Sequence, residues 1–141
     1  MILKNDFSLV TMTRSDTAKR KGYNEQWVPP DYVCNNLAAL FQHLLLPLVN
    51  NLPGDIHVTG AYRCSRLNVA VGSKPTSQHL TGQAADIEYW ENGIEKNKII
   101  IDTVLRLNLP FDQMINENNL SWVHLSYSHV KARKQFFKLP K

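Results

Sequence analysis

The side chains in this sequence best suited to chemistry are histidines with an acid near them. In SKPTSQHLTGQAADIEYW, residues 73–90, His79 and Asp86 stand seven positions apart with a glycine and alanines between them. A helix would place such a pair about two turns apart, so the stretch is expected to be a loop running into a strand. A third residue, His124, lies in SWVHLSY, where the two-residue period of a strand puts Trp122, His124 and Ser126 on one face. Two neutral imidazoles and one carboxylate form a ligand set used by catalytic zinc, with a fourth position left for water. A closed structural site would more usually take four protein ligands, often cysteines. The other histidines lack such company. His43 sits beside a leucine run, His57 lies in a strand with no acid or histidine at a ligand spacing, and His129 lies beyond the last well-patterned strand.

The elements that would position these residues can be read from pattern and punctuation. Ser8 and SDTAKRKG suggest two short helical turns, the second closed by Gly22, where a positive φ costs little. QWVPP is extended, because a residue before proline avoids the α region. Asp31 is expected to cap the clearest helix, DYVCNNLAALFQHLLLPLV, whose Val33, Leu37, Leu40, Phe41, Leu44, Leu45 and Leu48 share a face; Pro47 should kink or end it. IHVTGAYR reads as a strand and CSRLNVAVG as a short helix ending at Gly72. AADIEYW has strand character. NGIEKNKIIIDTVLRLNLP reads as a second long helix, with Ile94 among its apolar residues and Pro110 as its stop. FDQMINE and SWVHLSY form a hairpin about the turn NNL. This order predicts an α+β fold, with helices packed on a small antiparallel sheet rather than a repeating βαβ sheet.

Size and charge bound the rest. A chain of 141 residues suits one ordinary core, so residues 1–141 are expected to form a single domain. The formal net charge of +4 suits an acidic partner such as a cell-wall polymer, yet the basic residues concentrate only in TAKRK and VKARKQFFK. Both read as ordinary solvated segments, since neither carries a nucleic-acid recognition motif. Cys34 and Cys64 make neither a disulfide framework nor a zinc pair. The first residues lack the apolar core and cleavage site of a signal peptide, and no run approaches a membrane span. Synthesis as a cytoplasmic product, without nucleic acid as partner, is the expectation.

At the histidine loop the sequence resembles a known family. SQHLTGQAAD is similar to the Ser-x-His-x-x-Gly-x-Ala-x-Asp signature of the M15 zinc D-Ala-D-Ala metallopeptidases, met at Ser77, His79, Gly82, Ala84 and Asp86. SWVHLSY resembles the family's second motif, an aromatic residue close before the last metal histidine, and GAYRCSRLN resembles the segment that supplies its arginine. The resemblance implies a hedgehog/D-Ala-D-Ala-peptidase-like fold and a monomeric zinc peptidase acting on peptidoglycan peptides, as a carboxypeptidase or as an endopeptidase of the phage endolysin type. It implies zinc bound by His79, Asp86 and His124. Arg63 would hold or polarise the substrate at the scissile bond, and Ser77 would place its carboxylate end. Gly82 would let the chain turn between two ligands, and the small Ala84 and Ala85 would let the strand pack closely behind the metal.

One position departs from the pattern. Many members carry an acid three residues before the last histidine; here that residue is Ser121, which takes no proton from zinc-bound water at neutral pH. Glu117, just across the expected hairpin turn, is the best substitute as general base, ahead of Asp112 and Glu88, whose ordinary reading is a solvated surface carboxylate. Two other classes stay open: a non-catalytic zinc module similar to the hedgehog signalling domain, and a basic nucleic-acid binder using KARKQFFK. A chain of this kind resembles small phage-type lysins, which are made in the cytoplasm and reach the wall once the membrane is breached. Action on cytosolic precursors or recycled peptides is the other route.

Overall fold

The computed structural model describes residues 5–139. Two serine-capped helices open it: α1 (Leu9–Thr13), where the Ser8 hydroxyl accepts from the Thr11 amide, and α2 (Asp16–Lys21), where Ser15 does the same for Ala18. Gly22 closes α2 at φ 72°, as its place in the sequence requires. A 3-10 turn, Asn24–Trp27, then leads through two prolines into the long helix.

That helix, α3, spans Asp31–Asn51 and differs from expectation at its start; at Pro47 the sequence allowed a kink or an end. Asp31 is its first helical residue rather than its cap, a place where a carboxylate favours the helix dipole. Pro47 does not end it. A π turn at Phe41–Leu45 precedes the proline, with the Leu46 amide reaching back to the Phe41 carbonyl, and this wider turn relieves the clash that a proline makes with the turn before it. By length and composition α3 is long and apolar enough to cross a membrane, contrary to the expectation that no stretch approaches one. Its Leu40, Leu44, Leu45 and Leu48 are nevertheless fully buried in the core.

The strands are β1 (Asp55–Gly60), β2 (Ala84–Glu91), β3 (Ile94–Glu95), β4 (Gln113–Glu117), β5 (Trp122–Ser126) and β6 (Gln135–Leu139), with α4 (Ser65–Ala70) after β1 and α5 (Lys98–Arg106) after β3. They form one sheet in the order β1-β2-β5-β4-β6, with β3 folded onto the end of β2. Every pairing is antiparallel except β4 with β6. The fold is therefore α+β, as predicted, on a mostly antiparallel sheet. Two elements differ from the reading of the sequence. Asn92 and Gly93 both take positive φ, the signature of a tight hairpin turn, so Ile94 is an exposed strand residue and α5 starts only at Lys98. The basic C-terminal stretch, read as a solvated segment, supplies β6 on the sheet edge.

Alternation divides the sheet. Ile56, Val58, Ala85, Ile87, Tyr89, Met114, Val123 and Leu125 are buried with the leucines of α3 and with Ile100 and Val104 of α5 in one core. At about 25 cal/mol per Å² of apolar area removed from water, this face is the main source of stability. The opposite face carries Asp86, His124, Ile115 and Phe137, which the strand registers place side by side. Cys34 and Cys64 are both free thiols, Cys64 buried in the core.

Candidate metal centre

Two of the three candidate ligands sit on the ladder itself. Asp86 in β2 is the direct partner of His124 in β5, so the antiparallel register brings their side chains to the same face. The third comes from the loop before β2. Its backbone is held on two sides: the Arg63 amide donates to the His79 carbonyl at 3.0 Å, and the Gln83 amide donates to the Gln78 carbonyl at 2.9 Å. Gly82 lets this loop turn at φ +74°, and it also packs where a side chain cannot. A Cβ there would lie 2.7 Å from the Val33 carbonyl oxygen and 2.9 Å from Val33 Cγ1 in α3. Ala84 and Ala85, both fully buried, follow as the strand begins.

The donor atoms converge. His79 Nε2 lies 3.4 Å, and His124 Nδ1 3.2 Å, from Asp86 Oδ1, and one donor atom from each of the three residues lies within 4.8 Å of the others. Ligands at about 2.0–2.2 Å from a tetrahedral ion stand roughly 3.3–3.6 Å apart, a spacing close to the two separations from Asp86. The protonation states fit as well. His79 Nδ1 sits 2.5 Å from the Ala61 carbonyl; a carbonyl only accepts, so Nδ1 carries the proton and Nε2 keeps its lone pair toward Asp86. Burial pushes the Asp86 carboxyl up, but the neighbouring His124 and His79 outweigh it and hold the group well below the usual carboxylate range. The acid is thus ionised, and a cation is the ligand such a cluster suits.

The remaining predicted residues line the same cleft, of about 1220 Å³. Arg63 follows β1 and directs Nη2 to the hydroxyls of Ser77 at 3.0 Å and Ser73 at 3.3 Å. Its Nε is buried without a partner. Burial lowers the Arg63 pKa while the charges of Asp86 and Glu117 raise it, and a guanidinium stays charged throughout. Ser77 also accepts from the His79 amide at 3.2 Å. With both lone pairs engaged, its own O–H is left as a donor. Glu117 ends β4 opposite Trp122 and lies on the cleft with it.

The other acids do not reach the centre. The Ser121 hydroxyl donates to the Asn118 carbonyl at 2.6 Å and stabilises the hairpin turn. Glu88 accepts from the Trp90 indole at 2.9 Å. Asp112 is no solvated surface carboxylate: it is fully buried and takes both Nε (2.7 Å) and Nη2 (2.9 Å) of Arg133, together with the Gln78 amide at 2.8 Å. His43 stacks on Tyr127 and His57 on Trp90, and neither belongs to the converging donor group. Sequence reasoning missed the Ala61 carbonyl, which no side-chain pattern can signal, and the cleft wall formed by Ile115, Lys131, Arg133 and Phe137.

An open cleft over a sheet, with a His/Asp/His donor set on its floor and an arginine and a carboxylate beside it, is an arrangement of the kind that metal-dependent hydrolases use. A family model described as Peptidase M15 matches residues 5–126, and the chain belongs to the M15 peptidase family. Comparison with curated proteins gives no match.

Proposed function

We propose that the protein hydrolyses peptide bonds in the stem peptides or cross-links of peptidoglycan, using one zinc ion held by His79, Asp86 and His124. The observation that carries this reading is the convergence of those three donors on the floor of a cleft that also holds Arg63 and Glu117. Zinc in this donor set supplies Lewis acidity and brings the pKa of water toward neutrality. Glu117 takes the proton of the attacking water as its oxygen adds to the peptide carbonyl carbon. The same proton passes to the amine as the carbon–nitrogen bond breaks. Arg63 offers its charge to the oxyanion that develops on the carbonyl or to a substrate carboxylate, and its planar fork suits either. The Ser77 hydroxyl donates to the substrate's carboxylate end and keeps Arg63 aimed.

The polymer's anionic character accords with the formal net charge of +4, and release into the wall after membrane breach accords with a small lysin. Purified protein, loaded with zinc or stripped by chelator, should be incubated with muropeptides and the products separated by mass. Zinc-dependent loss of a terminal D-alanine marks a carboxypeptidase, and cleavage within the stem or cross-link marks an endopeptidase. Stoichiometric zinc without any cleavage would replace this reading with a non-catalytic zinc module.

A further inference from the structure

Asp86 and His124 are held by adjacent strands, so the position of His79 on its loop is the variable that completes the donor set. We infer that Gln78, anchored on the buried Asp112–Arg133 pair, is a positioning residue that sets His79 against the other two ligands. This rests on the metal reading above.

Gln78 immediately precedes His79, and its Nε2 donates to Asp112 Oδ2 at 2.8 Å. Asp112 is itself buried and tied through its backbone and its carboxylate. Its amide donates to the Ser126 carbonyl at 2.8 Å, and its carbonyl accepts from Gln135 at 2.9 Å. Its carboxylate receives Arg133 through Nε at 2.7 Å, Nη2 at 2.9 Å and the backbone amide at 3.2 Å. Ser126 lies two residues beyond His124 on β5, so the chain of bonds runs from the loop ligand to the strand that carries the last ligand.

The orientation of Gln78 carries a cost that marks its purpose. With Nε2 committed to Asp112, Oε1 is left buried without a partner, and a buried unpaired acceptor is destabilising. A methionine would fill a similar volume without that penalty. What the amide alone provides is the bond to Asp112. Other ties hold the loop from the far side, through the Ala61 carbonyl to the His79 ring and the Arg63 amide to the His79 carbonyl. Gln78 is the side-chain tie on the β4 side. Arg133 lies beyond residues 5–126, the part matched by the family, so the C-terminal segment of this chain takes part in shaping the centre.

Gln78→Met leaves the Asp112–Arg133 pair intact and cuts only the link to the loop. Zinc affinity should be measured by competition with a chromophoric chelator, alongside the visible absorption of the cobalt(II) form and a thermal melt of the metal-free protein. The expected result is a weakening of zinc binding by up to about tenfold, the lower end of what losing a direct outer hydrogen bond to a ligand costs, since Gln78 acts on His79 through the backbone, with an altered cobalt band and a folded metal-free protein. Arg133→Lys, which keeps the charge and loses the fork, should shift affinity in the same direction by less. An unchanged zinc affinity and cobalt spectrum in Gln78→Met, even with a lowered melting temperature, would show a purely structural bond and overturn the inference alone. Failure of the parent protein to bind zinc would overturn the metal reading and the inference together.

Discussion

Asp86 and His124 face each other directly across β2 and β5, with Asp86 Oδ1 3.2 Å from His124 Nδ1. Backbone ladders on both sides fix this pair, since β1 flanks β2 and β4 flanks β5. Donors carried on paired strands are preorganised, so little ordering remains to oppose metal binding. The consequence is that the site should tolerate the loss of one donor in its fold but not in its affinity.

His124→Ala is expected to abolish tight zinc binding while the core, on the opposite face of the sheet, stays folded. Zinc content after dialysis and a far-ultraviolet spectrum read the two effects. Added zinc should raise the melting temperature of the parent and not of the variant, because an ion that binds only the folded state stabilises it. Full zinc occupancy in the variant would remove His124 from the ligand set.

Truncating Arg63 to alanine should lower kcat/KM by about 10²–10³-fold, the range for losing a preorganised charge at a developing oxyanion, with zinc content unchanged. Lysine should recover little, because a point charge reproduces neither the fork nor the contact to Ser77. Parity of the alanine variant with the parent on a wall peptide would exclude Arg63 from the chemistry.

Replacing Glu117 with glutamine keeps the shape of the residue and removes its basicity. Turnover should fall by about two to four orders of magnitude with zinc bound. Ser121→Ala should change the rate little, since that hydroxyl serves the turn. A near-normal rate for the glutamine variant would send the base elsewhere.

Gly82→Ala combines two penalties: a positive φ, worth about 1–2 kcal/mol for a side chain, and overlap with Val33, worth about 1–3 kcal/mol. Gly22 has φ +72° and nothing within 4 Å of a built Cβ, so Gly22→Ala carries the first penalty only. Denaturant melts of the two variants should differ by about the packing cost. Equal losses would show that α3 gives way to the new methyl.

Arg133 beside Asp112 lowers its carboxyl below the ordinary range despite burial, helped by the Gln78 amide. A depressed folded pKa gives stability that is complete above the unfolded value, about 3.9, and is lost as pH falls through the folded value. The parent's melting temperature should therefore drop below about pH 4 more steeply than that of Asp112→Asn. Parallel curves would mean that the pair adds nothing to acid stability.

The order of elements apart from β3 and β6, the burial of the α3 leucines and the loop-to-strand path through His79 and Asp86 were legible in the sequence, because each depends on local periodicity, turn residues or a short motif. His124 could be named because it stands in a strand beside Trp122. What local pattern could not reveal was pairing at a distance. The register that sets Asp86 against His124, the parallel β6 built from a basic stretch, and the burial of Asp112 under Arg133 all depend on which strands lie side by side. A carboxylate near a strand end reads as solvated until the chain that covers it is in place. At Pro47, where the sequence left a kink or an end open, the outcome was decided for a related reason: the core contacts of Leu44, Leu45 and Leu48 hold the helix together across it, and only the packed structure supplies them.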